Sequence, residues 1–298
     1  MTIVKRFIAS GFWLMFLAAL VFSLADILTK YLTSLFSTME ISLIRFLFGG
    51  LPLWPILSSR GISLRGHRPG LLILRGLCGT LSYFCLLISI ASISLSNAIV
   101  LFYTFPLFVV FFSFLFFRIT IELGELFLIG LGLTGIYILI NPGFHSFNKG
   151  YIFGILSSCI GGMAMVFAHK ARQTNGPLII YFYFCLVGGI LSLPSFVRGF
   201  KIPNAQHGIL LISLSLTLLI GQVLMNYALK FCKASEGALI MMSEVVFAGV
   251  AAILIFRDPI SLNFLIGAIL IMGSGIGLNL MGRKSRRSPA FSEENMDK

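Results

Sequence analysis

Five side chains in this sequence sit where carrying charge is costly. Asp26, Lys30, Arg45, Arg75 and Glu244 each fall inside a long apolar stretch, and an ionised group near the middle of a membrane-crossing helix costs about 2.5–3.5 kcal/mol on insertion scales. Groups retained at that cost face a bundle interior and find partners, or they serve a ligand. Asp26 and Lys30 are four residues apart, on one face of a helix, and could neutralise each other. Arg45, at a similar depth, is an alternative partner for Asp26. Arg75 lies close enough to the end of its stretch to snorkel toward lipid phosphate. Glu244 has no basic residue within one turn, so it carries a proton, pairs across the bundle or binds a cationic group of a substrate. Tyr83 and Tyr103 bring phenols that need a partner in hydrocarbon, and Asn226 brings an amide that is either helix glue or a ligand contact. Glu244, Asp26, Arg45, Arg75, Tyr83, Tyr103 and Asn226 are therefore the candidate substrate-binding or coupling residues. Pro106, deep in its stretch, frees the carbonyl of Phe102, and a kink there could line a cavity; it is the candidate gating residue.

These residues are positioned by ten apolar stretches, at 11–32, 39–58, 70–90, 95–117, 123–141, 150–170, 178–197, 208–229, 235–256 and 262–281. Each is near the ~20 residues that a helix needs to cross ~30 Å of hydrocarbon. Helices satisfy their own backbone where lipid offers no partner, and barrel strands would alternate in polarity at every second residue, which these runs do not. With 58% hydrophobic residues, 11% charged residues and a mean hydropathy of +1.00, the chain has no polar surface with which to wrap a water-soluble core of 298 residues. The fourth stretch is crowded with rings from Phe102 to Phe117, most of which suit lipid or packing contact.

The first five stretches map onto the last five at a constant offset of 139 positions: Gly11 falls on Gly150, Gly49-Gly50 on Gly188-Gly189, Pro55 on Pro194, Ser96 on Ser235 and Arg118 on Arg257. Only after Arg118 does the register slip, by two residues. A copied unit of five spans is odd, so its second copy enters the bilayer from the opposite side, the build of many secondary transporters. The expected fold is an all-α integral membrane protein of ten transmembrane helices arranged as two inverted five-helix repeats, residues 1–146 and 147–282. Residues 283–298 read as a disordered cytoplasmic tail.

The net charge of +12 is distributed as topology rather than as a nucleic-acid surface. A cytoplasmic N-terminus places Lys5, Arg6, Arg60, Arg65, Arg68, Arg118, Lys170, Arg172, Lys230, Lys233 and the tail residues Arg283, Lys284, Arg286 and Arg287 inside, with Arg198 and Lys201 as the main dissent and Lys149 and Arg257 as single outward charges. Lys5-Arg6 ahead of Phe7–Ala25 has the pattern of a signal peptide, but the duplication pairs that segment with the sixth stretch and favours a retained helix. Cys78, Cys85, Cys159, Cys185 and Cys232 lack metal-ligand spacing and read as packing residues, and the four histidines are scattered. No metal and no cofactor is expected. Gly130, Gly132 and Gly135 match a dinucleotide fingerprint only literally, inside an apolar stretch. With Gly267, Gly273, Gly275 and Gly277 they mark the fifth and tenth stretches as closely packed helices, within one protomer or across a homodimer.

On these residues the chain resembles the drug/metabolite transporter superfamily in its EamA-domain branch, over residues 10–282. The marks are Ile44-Arg45-Phe46-Leu47-Phe48, Leu74-Arg75-Gly76, Pro106, and Ser243-Glu244 ahead of Phe256-Arg257-Asp258. Phe117-Arg118 departs from the acidic residue that the family often places there. The resemblance implies a carrier in a bacterial inner membrane that moves a small polar metabolite, an amino acid or related compound, by alternating access. Its partners would be the small-molecule substrate, the lipid bilayer and a proton or counter-substrate, with no nucleic acid. The run Asp26–Leu32 together with Arg45 and Arg75 is similar to the S-adenosylmethionine uptake members, which makes uptake or exchange of that compound the alternative. From another class, a channel would need a continuous polar lining that these stretches lack, and a non-transporting membrane subunit is the remaining reading. An enzyme is not expected, since no paired Asp, His or Ser constellation stands at helical spacing.

Overall fold

The computed structural model describes residues 11–93, 95–118, 122–140, 148–194, 203–256 and 262–285. Arg198, Lys201, Arg257-Asp258, the 141–147 connection and the tail from 286 onward lie outside the described residues, as do Lys5 and Arg6. Every described helix lies on one of the apolar stretches. They are α1 Gly11–Thr33, α2 Thr38–Gly50, α3 Leu53–Ser59, α4 Pro69–Ser92, α5 Leu95–Phe102, α6 Phe105–Phe117, α7 Leu123–Ile140, α8 Lys149–Arg172, α9 Pro177–Ser192, α10 Ala205–Ala228, α11 Ala234–Met241, α12 Ser243–Phe256 and α13 Leu262–Ser285. No strand occurs among the described residues. Among the described residues six segments are long and apolar enough to cross a membrane, Gly11–Thr33, Thr38–Ser59, Pro69–Ser92, Asn97–Phe117, Lys149–Arg172 and Ala205–Ala228, while α7, α9 and α13 carry shorter apolar runs. Leu24, Phe111, Phe114, Phe127 and Ile269 turn outward into exposed positions, a surface that suits lipid and not water. The chain is a multi-pass membrane protein.

Three apolar stretches are divided. Pro52 separates α2 from α3, taking the N-cap place where a missing N–H does least harm. Between α5 and α6 the chain turns at Tyr103-Thr104, where the Thr104 hydroxyl donates back to the Leu101 carbonyl at 2.7 Å and Pro106 begins the next helix. Pro106 therefore occupies a first turn, the position its fixed φ favours, instead of kinking a continuous helix. The break between α11 and α12 repeats this without a proline: the Ser243 hydroxyl donates to the Ile240 carbonyl at 2.7 Å. Back-bonding of Ser and Thr to the preceding turn bends helices, and Thr104 and Ser243 are separated by the repeat offset of 139.

Small residues set the packing. Helix α4 lies along α8, where Ser82 and Ser157 each donate to the other's carbonyl at 2.8 Å, and Ser89 donates to the Gly150 carbonyl at 2.9 Å. Helix α1 lies along α10, with the Phe22 ring against the bare Cα of Gly221. Helices α7 and α13 cross within the chain at Gly135 and Gly267, where a Cβ on either glycine would meet the other's carbonyl at under 3 Å. Gly130, Gly273 and Gly275 face open space, so the close approach uses only part of the glycine set. Contacts exchange with the halves: α1 on α10 is matched by α8 on α4, α2 on α10 by α9 on α4, and α11 and α12 on α1 by α5 and α6 on α8.

Candidate functional site

A cavity of about 170 Å³ opens where the α5–α6 and α11–α12 breaks meet α1, α2, α4, α8, α9 and α10. Much of its wall is built from equivalent positions of the two halves. Asp26 and Met165 are related by the offset, as are Arg45 and Phe184, Tyr83 and Gln222, Phe102 and Met241, and Phe105 and Glu244; all ten line the cavity.

The cationic side comes from α2 and α4. A capping box starts α2, in which the Ser37 N–H donates to the Glu40 carboxylate at 2.7 Å and the Glu40 N–H to the Ser37 hydroxyl at 3.3 Å. Arg45 follows on this helix, 3% exposed, with its guanidinium carbon 3.7 Å from the centre of the Tyr83 ring. Arg75 is 4% exposed. It does not snorkel to the membrane edge: its guanidinium folds over Gly79, one turn along α4, where a Cβ would overlap its Nη1. It lies 4.8 Å from the centre of the Phe184 ring and donates through Nη2 to the Gln222 carboxamide at 3.1 Å. Nε and Nη1 of both arginines are buried without a protein hydrogen-bond partner.

The acidic side joins the first half to the second. Asp26 from α1 and Glu244 from the first turn of α12 stand close enough for their carboxyl groups to interact directly, with the Tyr103 ring beside them. Neither carboxyl is ion-paired to a described basic residue. The Asp26–Lys30 pair allowed by helical spacing does not form. Lys30 is exposed and its ammonium donates to the Ile90 carbonyl at 3.3 Å, and Arg45 is held on the aromatic shelf instead. Glu244 does find a partner across the bundle, but that partner is a second acid.

Six of the seven candidate binding residues, Glu244, Asp26, Arg45, Arg75, Tyr83 and Tyr103, line this one cavity. Asn226 does not. It is fully buried one turn beyond Gln222, its side-chain amide has no hydrogen-bond partner, and its main-chain carbonyl accepts from Arg172 Nε at 3.0 Å. Pro106 is also absent from the wall, which takes its neighbours Phe105 and Tyr103. The hydroxyl of Tyr83 is buried without a protein hydrogen-bond partner. Gln222, Phe184 and Gly79 escaped the reading from charge alone. The repeat register carried the missing signal for two of them, since Gln222 is the counterpart of Tyr83 and Phe184 that of Arg45.

Two guanidinium groups and two carboxyl groups thus stand on the wall of one cavity inside an all-helical membrane bundle. The EamA-like transporter family model matches the chain twice, at residues 9–141 and 148–280, and the chain belongs to that family. It is similar to the pseudopaline exporter of Pseudomonas aeruginosa, 26% identical over 272 residues that cover 91% of this chain and 96% of the relative. It is also similar to the S-adenosylmethionine uptake transporter of Rickettsia bellii, 25% identical over 259 residues, covering 86% and 89%. Human solute carrier family 35 member G1 is 24% identical over 286 residues, covering 90% and 78%. A solved crystal structure of 17% sequence identity superimposes with a TM-score of 0.76 over 94% of this chain and 99% of its own, a likeness of fold alone.

Proposed function

We propose that the protein is a secondary transporter which moves a small polar metabolite, an amino acid or related compound, across a bacterial inner membrane by alternating access. The observation that carries this reading is the cavity at the junction of the halves, with four ionisable side chains on its wall and equivalent positions contributed by each half. Two matching sets of helices around one site can rock against each other and expose it to either side in turn. Ten spans in two inverted five-helix repeats, with both termini cytoplasmic, complete the arrangement; the exchange of helix contacts between halves supports it. A proton or a counter-substrate drives the cycle. Uptake or exchange of S-adenosylmethionine is the second reading, favoured by the rickettsial relatives.

Accumulation of radiolabelled amino acids and S-adenosylmethionine in proteoliposomes of the full chain tests the proposal, run in both directions because one relative is named an exporter and another an uptake transporter. Solute-specific, saturable accumulation is expected. Linear, non-saturating flux would indicate a channel, and absence of flux a non-transporting subunit. For the topology, phosphatase fused at Gly143 should be active and at Lys284 inactive; the reverse pattern sinks the arrangement.

A further inference from the structure

The two buried arginines are the unusual feature of the cavity. A lone guanidinium in a membrane interior is retained with a partner, yet Arg45 and Arg75 have no carboxylate within ion-pair distance among the described residues and keep Nε and Nη1 unbonded. What surrounds them is a mould: Tyr83 under Arg45, Phe184 beside both, and Gln222 fixing one edge of Arg75. Aromatic faces hold a guanidinium flat and leave its planar fork of donors free, which is the geometry that grips a carboxylate by two parallel hydrogen bonds. Two like charges on one wall also repel, and an anion between them relieves that repulsion while satisfying donors that are costly to leave unbonded.

Resting on the transport reading above, we propose that the Arg45–Arg75 corner, with Gln222, seats a carboxylate of the cargo, and that the cargo is an amphoteric molecule whose cationic group lies against Asp26 and Glu244. The remainder of the wall excludes the other charge classes. A polyanion such as a phosphate ester would face the two acids. A simple organic cation would satisfy the acids and leave both guanidinium groups unpaired in a site dry enough to make that costly. An amino-acid head group offers both charges on adjacent atoms and leaves its side chain to the apolar wall around Met165 and Met241.

The test compares solutes that differ in the carboxylate alone: L-methionine against methioninamide, S-adenosylmethionine against its decarboxylated form, and the remaining amino acids against their amides. Full-length protein in proteoliposomes should accumulate at least one carboxylate-bearing member, with the carboxylate-free analogue at least tenfold weaker. Arg45→Gln and Arg75→Gln should bring the two analogues within about threefold of each other, since a tenfold preference corresponds to 1.4 kcal/mol supplied mainly by that contact. Equal handling of both analogues by the unaltered protein overturns the assignment, as does undiminished preference in Arg45→Gln and Arg75→Gln. Accumulation restricted to carboxylate-free cations overturns it while leaving the carrier reading intact. Inserted protein that moves none of these solutes removes the carrier reading and this inference together. Because the comparison within the unaltered protein decides by itself, a variant that fails to fold does not rescue the proposal.

Discussion

The two halves of the chain contribute many of the same positions to the cavity, with different chemistry at several of them. At each charged position that the offset relates within the wall, one half is ionisable and the other apolar: Asp26 against Met165, Arg45 against Phe184, Glu244 against Phe105. Both arginines and one acid come from the first half, and the second acid from the second. Duplication thus supplied the shape of the site, while divergence supplied its polarity. A site with identical halves would present equal charges across its axis, and these would repel; the asymmetric wall instead sets two acids, from α1 and α12, against two arginines, from α2 and α4. The same contrast appears in the helix breaks, where Thr104 and Ser243 make equivalent hydrogen bonds but only the first half adds a proline.

The largest effect is expected at the acids, where the halves meet. Glu244→Gln and Asp26→Asn should each lower transport at least about tenfold, near 1.4 kcal/mol in the limiting step, at unchanged membrane abundance. Because the two carboxyls act on each other, the double variant should fall little below the worse single one. Additive losses would mean that the halves contribute separate sites. Transport measured across pH separates their roles: a proton carrier loses pH-dependent coupling, whereas a direct ligand of the cargo loses affinity at every pH.

Next in size is Gly79→Ala. The added methyl occupies the space of the Arg75 guanidinium, so apparent affinity should weaken about three- to tenfold, or ~0.6–1.4 kcal/mol, while the maximal rate changes less. A rate loss without an affinity loss would show that Arg75 serves the conformational change and not the cargo.

Pro106→Ala should cost about two- to threefold in rate, ~0.4–0.6 kcal/mol, because Thr104 and its contact to Ser158 at 2.7 Å remain to hold the bend. Thr104→Val combined with Pro106→Ala should lose more than either alone. If Pro106→Ala by itself abolishes transport, the proline is what makes the first-half break different from its counterpart.

The smallest effect belongs to Lys233, at the N-cap of α11, whose ammonium meets Glu125 of α7 at 2.8 Å and ties the second half to the first. Its side chain is 43% exposed, and pairs of this kind contribute about 0–1 kcal/mol. Burial opposes the charge on Lys233, but the hydrogen bond and charge of Glu125 outweigh it and raise the ammonium above its ordinary value of 10.5. A group raised on folding contributes below its unfolded pKa and loses that contribution as pH rises through the folded value. The stability difference between wild type and Lys233→Gln should therefore be small and flat through neutral pH, falling only in strong alkali; a thermal-unfolding series checks it.

Much of this molecule was determined by the sequence alone. Apolar runs of bilayer length dictate helices because lipid leaves the backbone no other partner, and the offset of 139 relates the wall positions before any coordinate is drawn. Charge within those runs singled out Asp26, Arg45, Arg75 and Glu244, since only a sheltered interior makes them tolerable. Partnership was decided elsewhere. Helical spacing permits Asp26 and Lys30 to meet, but α1 directs Asp26 into the cavity while Lys30 reaches the Ile90 carbonyl of α4. Arg75 had lipid phosphate within reach of its stem, and the bare Cα of Gly79 with the Phe184 ring turned it inward. Asn226 carries the same amide as Gln222 one turn away, yet only Gln222 lines the cavity. Position along one helix sets depth in the membrane; what a side chain touches at that depth depends on the rotation and close approach of neighbouring helices, which small residues far away in the chain control.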